Sequence, residues 1–310
     1  MKPRISYAVL AIAFGIPHKQ AIALDTPGRA EQPIVLIATS SAVEAFEEAM
    51  KGIQQGLGPS VKIVVLDLAS KSGEIETRLT AKEVRLVITV GNNAYESAAH
   101  FGTAPILATM LLRADLARPG FRAPAGVVAL DVPLGEILAR MAFVFPGRTR
   151  AGLIRNPDTD AISQASLATQ AKAAGMALTV LDCSRPEKLL QAFLSLRGRV
   201  DFVVCPPDGT LFNSTTVRPL ILASLENRLP VVGFSESFVR TGAMAAVYPD
   251  YFDVGLQVGE LAKKYLTGAG LPSNESPRKL KVAANPRVAR LLGLRIPGRS
   301  NSESGVVVIE

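Results

Sequence analysis

The chain has 310 residues, 48% of them hydrophobic and 20% charged, which is ample material for a buried core and excludes global disorder. At roughly 150 residues per domain, that length holds two domains or one large one. The net charge is +7, and the composition includes two histidines, two cysteines and no tryptophan. His18 falls in a candidate targeting segment, which leaves His100 alone in the remainder. A histidine-based triad or a histidine zinc site therefore has too few members, and neither a metal nor a cofactor is expected.

Residues 1–23 read as a signal peptide. Met1-Lys2-Pro3-Arg4 is a short basic start, and Ile5 to Ile16 is apolar apart from Ser6. Ala21-Ile22-Ala23 gives the small-x-small pattern of a cleavage site before Leu24. The segment is too short to span a bilayer, and no later stretch is long enough to do so. The expectation is an exported, periplasmic chain that is not membrane-embedded. Taking Lys2, Arg4 and Lys19 from the 34 basic residues leaves 31 against 27 acidic ones, a net charge of +4. Those bases are scattered without interleaved aromatics, so a nucleic-acid partner is not expected.

From residue 33 apolar runs alternate with helical periodicity. Pro33 to Ser40 reads as a buried strand, and Val43, Phe46, Met50, Ile53 and Leu57 mark one face of a helix. Val61 to Leu68, Arg85 to Val90 and Pro105 to Leu112 are further strands, separated by helices at Glu74 to Ala81 and Ala94 to His100. The pattern restarts after Pro146. Strands at Arg150 to Arg155, Ala177 to Leu181, Asp201 to Cys205 and Leu229 to Phe234 alternate with helices at Ala161 to Ala174, Pro186 to Leu196 and Thr216 to Asn227. Strand runs spaced by helices imply parallel βαβ units, and two such series imply two α/β lobes. Gly126 to Pro133 and Gly242 to Pro249 share a Gly-x-x-Ala-x-x-x-Pro pattern, each followed by an amphipathic helix. Each marks a place where the chain passes from one lobe to the other.

Ligands of open parallel sheets bind beyond the carboxyl ends of the strands. The short polar residues there are Ser40, Ser41, Asn92, Asn93, Asp208, Thr210, Ser235 and Glu236, and these are the candidate ligand contacts. Each has a plainer alternative. Ser41 with Glu44 and Asn93 with Glu96 fit capping boxes, Asp208-Gly209 fits a turn, and Glu236 can pair with Arg240 one helical turn on. Gly91-Asn92-Asn93 is not a dinucleotide fingerprint, and a phosphate-binding glycine loop is missing, so a nucleotide cofactor is not expected. No nucleophile–base pair can be read, and the protein is not expected to be an enzyme. Cys183 and Cys205 follow strands that flank the first strand of their lobe, about 10 Å apart at two strand spacings. A disulfide needs less than about 7 Å, so two free, buried thiols are expected.

Leu229 to Ala243, Tyr248 to Gly255 and the ending Ala284 to Pro297 resemble the signature of a family of ABC-transporter substrate-binding proteins that includes tryptophan and tyrosine uptake proteins. The resemblance covers about residues 33–297. It implies a type I periplasmic binding fold, α/β, with two doubly wound parallel-sheet lobes joined by a three-crossover hinge. On that fold residues 32–131 and 239–276 form lobe 1, residues 132–238 and 277–300 form lobe 2, and 301–310 are a flexible tail. The implied function is capture of a small polar ligand, amino-acid-like or another small organic molecule, between the lobes for an ABC importer. The alternative is a periplasmic sensory module that signals to a membrane partner. Partners are then the ligand and an ABC permease or a membrane sensor, and the chain is a monomer. The sequence departs from the family where Met110-Leu-Leu-Arg113 replaces an Asp-Pro, and where Asn92-Asn93 replaces a threonine-containing turn.

Overall fold

The apolar runs become two sheets, each covered by helices on both faces. The computed structural model describes residues 33–40, 43–68, 72–116, 120–296 and 306–308. The signal segment and Ser41 lie outside these residues. In lobe 1 the order is β1 (Ile34–Thr39), α1 (Glu44–Leu57), β2 (Lys62–Asp67), α2 (Ser72–Leu79), β3 (Val84–Val90), α3 (Asn92–Phe101), β4 (Ile106–Thr109), α4 (Arg113–Leu116) and β5 (Gly126–Val128). The five strands pair in parallel in the order β2-β1-β3-β4-β5. Side chains alternate between the faces of each strand. Val35 and Ile37 pack toward α1, while Leu36 packs on the other face with Tyr95 and Ala98 of α3.

Lobe 2 continues with α5 (Leu134–Val144), β6 (Arg150–Arg155), α6 (Gln164–Ala173), β7 (Ala177–Asp182), α7 (Leu189–Ser195), β8 (Phe202–Val204), α8 (Val217–Glu226), β9 (Val231–Gly233), α9 (Glu236–Arg240) and β10 (Ala245–Pro249). Next come α10 (Tyr251–Leu266), β11 (Leu280–Ala284), α11 (Pro286–Leu291) and β12 (Val306–Val308). The second sheet runs β12-β11-β10-β9-β8-β6-β7, parallel except for the antiparallel β10–β11 pair. Helices α5, α6 and α11 cover one face, and α7, α8 and α9 the other.

The chain crosses between lobes where the repeat places the crossings. β5 lies in the first sheet, yet Ile137, Leu138 and Met141 of α5 join the core of the second lobe. β10 lies in the second sheet, yet Val254, Val258 and Ala262 of α10 join the core of the first. The third crossing precedes β11. Glu275 pairs beside Val128 at the edge of the first sheet, and Leu280 opens β11 in the second.

Two expected boundaries move. Lobe 1 does not resume at residue 239, because α9 and β10 belong to lobe 2 and the crossing falls at Asp250, the cap of α10. The second is the tail: within the segment expected to be flexible, Val306–Val308 pairs with Val282–Ala284 as β12.

α10 packs on α1 through glycines. A Cβ at Gly56 would lie 2.6 Å from Leu256 O, and one at Gly259 would lie 2.5 Å from Ile53 O. The two helices therefore touch backbone to backbone, which fastens lobe 1 around the piece of chain that returns to it.

Cys183 and Cys205 are both buried and unpaired, at the ends of β7 and β8, with β6 between those strands. Burial pushes the Cys205 thiol well above its ordinary range. Thiol titration of unreduced protein should therefore find two groups per chain after denaturation and slow reaction at Cys205 before it. An intramolecular bridge in the peptide map would contradict the strand order.

Candidate functional site

Both sheets point the carboxyl ends of their parallel strands at the space between the lobes. A cleft of about 590 Å³ lies there. Its lobe 1 wall is Leu112 and Arg113 after β4, with Asp131 and Val132 of the first crossover. Its lobe 2 wall comprises the β6–α6 loop (Thr159, Asp160) and the loop after β8 (Pro206 to Thr210). That volume suits a small organic molecule.

Asp208 and Thr210 are the sequence candidates that line this cleft. Asp208 is only 8% exposed, and its carboxylate is fully engaged. Oδ1 accepts from the Thr210 and Leu211 N–H groups at 2.9 and 2.7 Å, and Oδ2 accepts from Thr159 Oγ1 at 2.6 Å. It is thus the turn former of the plainer alternative, and it also ties the two lobe 2 loops together. Thr210 is exposed on the cleft wall.

The other candidates lie away from this cavity. Ser40 and Asn92 follow β1 and β3 and meet around Gly91, where a Cβ would lie 3.5 Å from Ser40 Oγ. Gly91 has φ +91°, a left-handed turn that glycine adopts freely. Asn92 Oδ1 is buried without a hydrogen-bond partner, so an acceptor stands unsatisfied at this strand end. Asn93 is exposed and caps nothing: α3 begins at Asn92 with Gly91 as its cap residue and without a side-chain cap bond. The capping box expected there does not form. Ser235 accepts from Phe238 N–H at 3.2 Å and caps α9. Glu236 pairs with Arg240, as the helical spacing allows, and also accepts from Tyr248 Oη at 3.3 Å. Burial, and then the Glu236 charge, raise the Tyr248 hydroxyl's pKa, so it stays a donor.

Three features of the cleft go beyond the candidate contacts named from the sequence. Arg113 sends its guanidinium to Asn274 Oδ1 at 3.1 Å and Ser276 Oγ at 3.0 Å, which links the end of β4 to the third crossover. Asp131 is half-buried and accepts from Arg113 N–H at 2.8 Å through Oδ2. Its residue falls inside the repeated Gly126 to Pro133 pattern, which was a signal for it. Third, Met110 and Leu111 are buried in the lobe 1 cores, so of the Met110-Leu-Leu-Arg113 replacement only Leu112 and Arg113 line the cleft. Met110 makes that turn inward with φ +57°, a strained value for a side chain of its size.

The crossovers are cross-linked by charge. Buried Asp253 at the start of α10 pairs with Lys279 at 3.1 Å and Arg278 at 3.7 Å, and Lys281 pairs with Asp250 at 3.5 Å. These contacts join the second and third crossings.

The family model described as ABC transporter substrate binding protein matches residues 34–299. The chain belongs to the ABC transporter substrate-binding protein family. Among solved structures, this substrate-binding protein is similar to a ligand-free, open substrate-binding protein with adhesive properties from Clostridium difficile. The TM-score is 0.69 at 17% identity, over 90% of this chain and 99% of that one. It is also similar to a Streptococcus pneumonia protein in complex with L-Trp, with a TM-score of 0.58 at 20% identity over 90% of this chain and 100% of that one. Both likenesses support the bilobed fold. A tyrosine-binding protein of Clostridioides difficile is 32% identical over 85 residues, a match spanning 27% of this chain and 24% of that relative. Among the described residues, no helix of this family member is long and apolar enough to cross a membrane.

Proposed function

We propose that the protein is exported and captures a small polar organic ligand between its lobes for delivery to an ABC permease. The observation that carries this reading is the cleft of about 590 Å³, walled by strand-end loops of both lobes and backed by the first crossover. Closure about the crossovers would bring Ser40, Asn92 and Glu236, which stand at the ends of β1, β3 and β9, toward a ligand held by Thr210 and its neighbours. The tyrosine and L-Trp relatives make amino acids the first class to try. The sensory alternative would use the same cleft, and a permease or a sensor as the partner of the closed form separates the two.

The test is a melting-temperature screen of the mature chain against amino acids, amines, sugars and small acids, followed by calorimetry and small-angle scattering. A ligand at a hundred times its dissociation constant should add about 2.7 kcal/mol of stability. It should also reduce the radius of gyration. A screen in which no compound raises the melting temperature would count against ligand capture.

A further inference from the structure

The polar groups lining the cleft are unequal in sign. Among the described residues Arg113 is its cation, and that guanidinium is engaged by Asn274 and Ser276. Asp115, Asp131, Asp160 and Asp208 are its acids. Three of these are held in place by the protein itself. Asp208 accepts from two N–H groups and a hydroxyl, Asp160 faces Arg155 at 3.6 Å and accepts from Ile162 N–H, and Asp115 accepts from Leu112 N–H at 3.0 Å. Asp131 accepts only backbone N–H groups, that of Arg113 at Oδ2 and its own, and the guanidinium whose charge reaches it bonds elsewhere. It stands on the first crossover, in the lobe 1 wall of the cleft and facing the loops of lobe 2.

Building on the ligand-capture reading above, we propose that Asp131 is the residue that selects the ligand, by accepting hydrogen bonds from a protonated primary amine. An ammonium carries three donors and no acceptor, which matches a half-buried carboxylate with spare lone pairs and no ion-pair partner of its own. Burial, opposed by the Arg113 N–H, the Arg113 charge and Asp131's own N–H and assisted by Asp115, holds the Asp131 carboxyl above its usual range. A bound ammonium would bring it down again, so amine binding weakens as the pH falls through that raised value. The Asp131→Asn variant removes the Asp131 part of that pH dependence.

The test uses the mature chain and three matched pairs in calorimetry: L-tyrosine with 3-(4-hydroxyphenyl)propionate, L-tryptophan with 3-indolepropionate, and putrescine with 1,4-butanediol. Wild type should bind at least one amine and bind its amine-free partner about ten- to a hundredfold more weakly, the weight of one charge-assisted bond. Asp131→Asn keeps an acceptor for Arg113 N–H, so its unliganded melting temperature should stay close to wild type. The same variant should lose that ten- to hundredfold for the amine and nothing for the amine-free partner. Equal amine affinity in Asp131→Asn overturns the role of Asp131 while ligand capture stands, as does equal binding of both members of a pair. If no probe binds, and the wider screen also finds nothing, ligand capture itself fails.

Discussion

Replacing Gly255 by alanine should unfold lobe 1 at temperatures where the wild type is intact. Gly255 lies on α10 where it meets α1, and a Cβ there would fall inside the Ala49 carbonyl, 2.7 Å from its carbon and 2.9 Å from Ala49 Cα. The obstacle is the backbone of a facing helix, which cannot rotate aside as a side chain can. Overpacking of ordinary cores costs about 1–3 kcal/mol. Here the helices must separate along a seam that also includes Gly52, Gly56 and Gly259, so the expected loss is about 3 kcal/mol or more. Calorimetric melting measures it. Gly270→Ala is the control: no heavy atom lies within 4 Å of its Cβ position. That change should stay within about 0.5 kcal/mol. Because α10 is the segment that returns to complete lobe 1, Gly255→Ala should also lose whatever ligand binding the wild type has. A Gly255→Ala protein that melts like wild type would show that α1 and α10 are not in backbone contact.

The same seam marks a limit of the sequence. Gly52-x-x-x-Gly56 and Gly255-x-x-x-Gly259 lie far apart in the chain, and a glycine in a helix reads by itself only as a weak point. Each pair acquires its meaning from the other, through packing that local patterns do not encode. The parallel strands were legible for the opposite reason: strands buried on both faces are continuous apolar runs, and β1, β3 and β6 announce themselves. β10 does not. Ala245 to Pro249 is fully buried but rich in alanine, and it is a strand because β9 and β11 flank it. The resemblance implies a second crossover at residue 239, and β10 carries the chain on in lobe 2 to Asp250. The candidate site divides in the same way. Asp208 and Thr210 sit where strand-end logic puts them. Arg113 and Asp131 become neighbours only when β4 and the first crossover are set side by side.

Asp208→Ala should cost stability first and binding as a consequence. Its carboxylate satisfies the N–H of Leu211, which is itself fully buried, the N–H of Thr210 and the hydroxyl of Thr159. Truncation strands the buried Leu211 N–H and leaves the Thr210 N–H and the Thr159 hydroxyl to water. Each hydrogen bond to a charged group is worth about 1.5–3 kcal/mol, and they are not independent, so the net expectation is about 3 kcal/mol. For a lobe of this size that corresponds to a fall of about 6–12 °C in melting temperature. The two loops that Asp208 joins form the lobe 2 wall of the cleft, so affinity should fall with the wall's order. Asp208→Asn separates the two roles. Its side-chain oxygen still accepts from both N–H groups, and its amide can donate to Thr159, whose hydroxyl reverses. It should therefore melt within a few degrees of wild type and bind ligand nearly as well. If Asp208→Asn instead keeps its melting temperature but loses binding tenfold or more, Asp208 contacts the ligand directly, as its place after β8 leads the sequence to predict, and the three internal bonds must open when the lobes close.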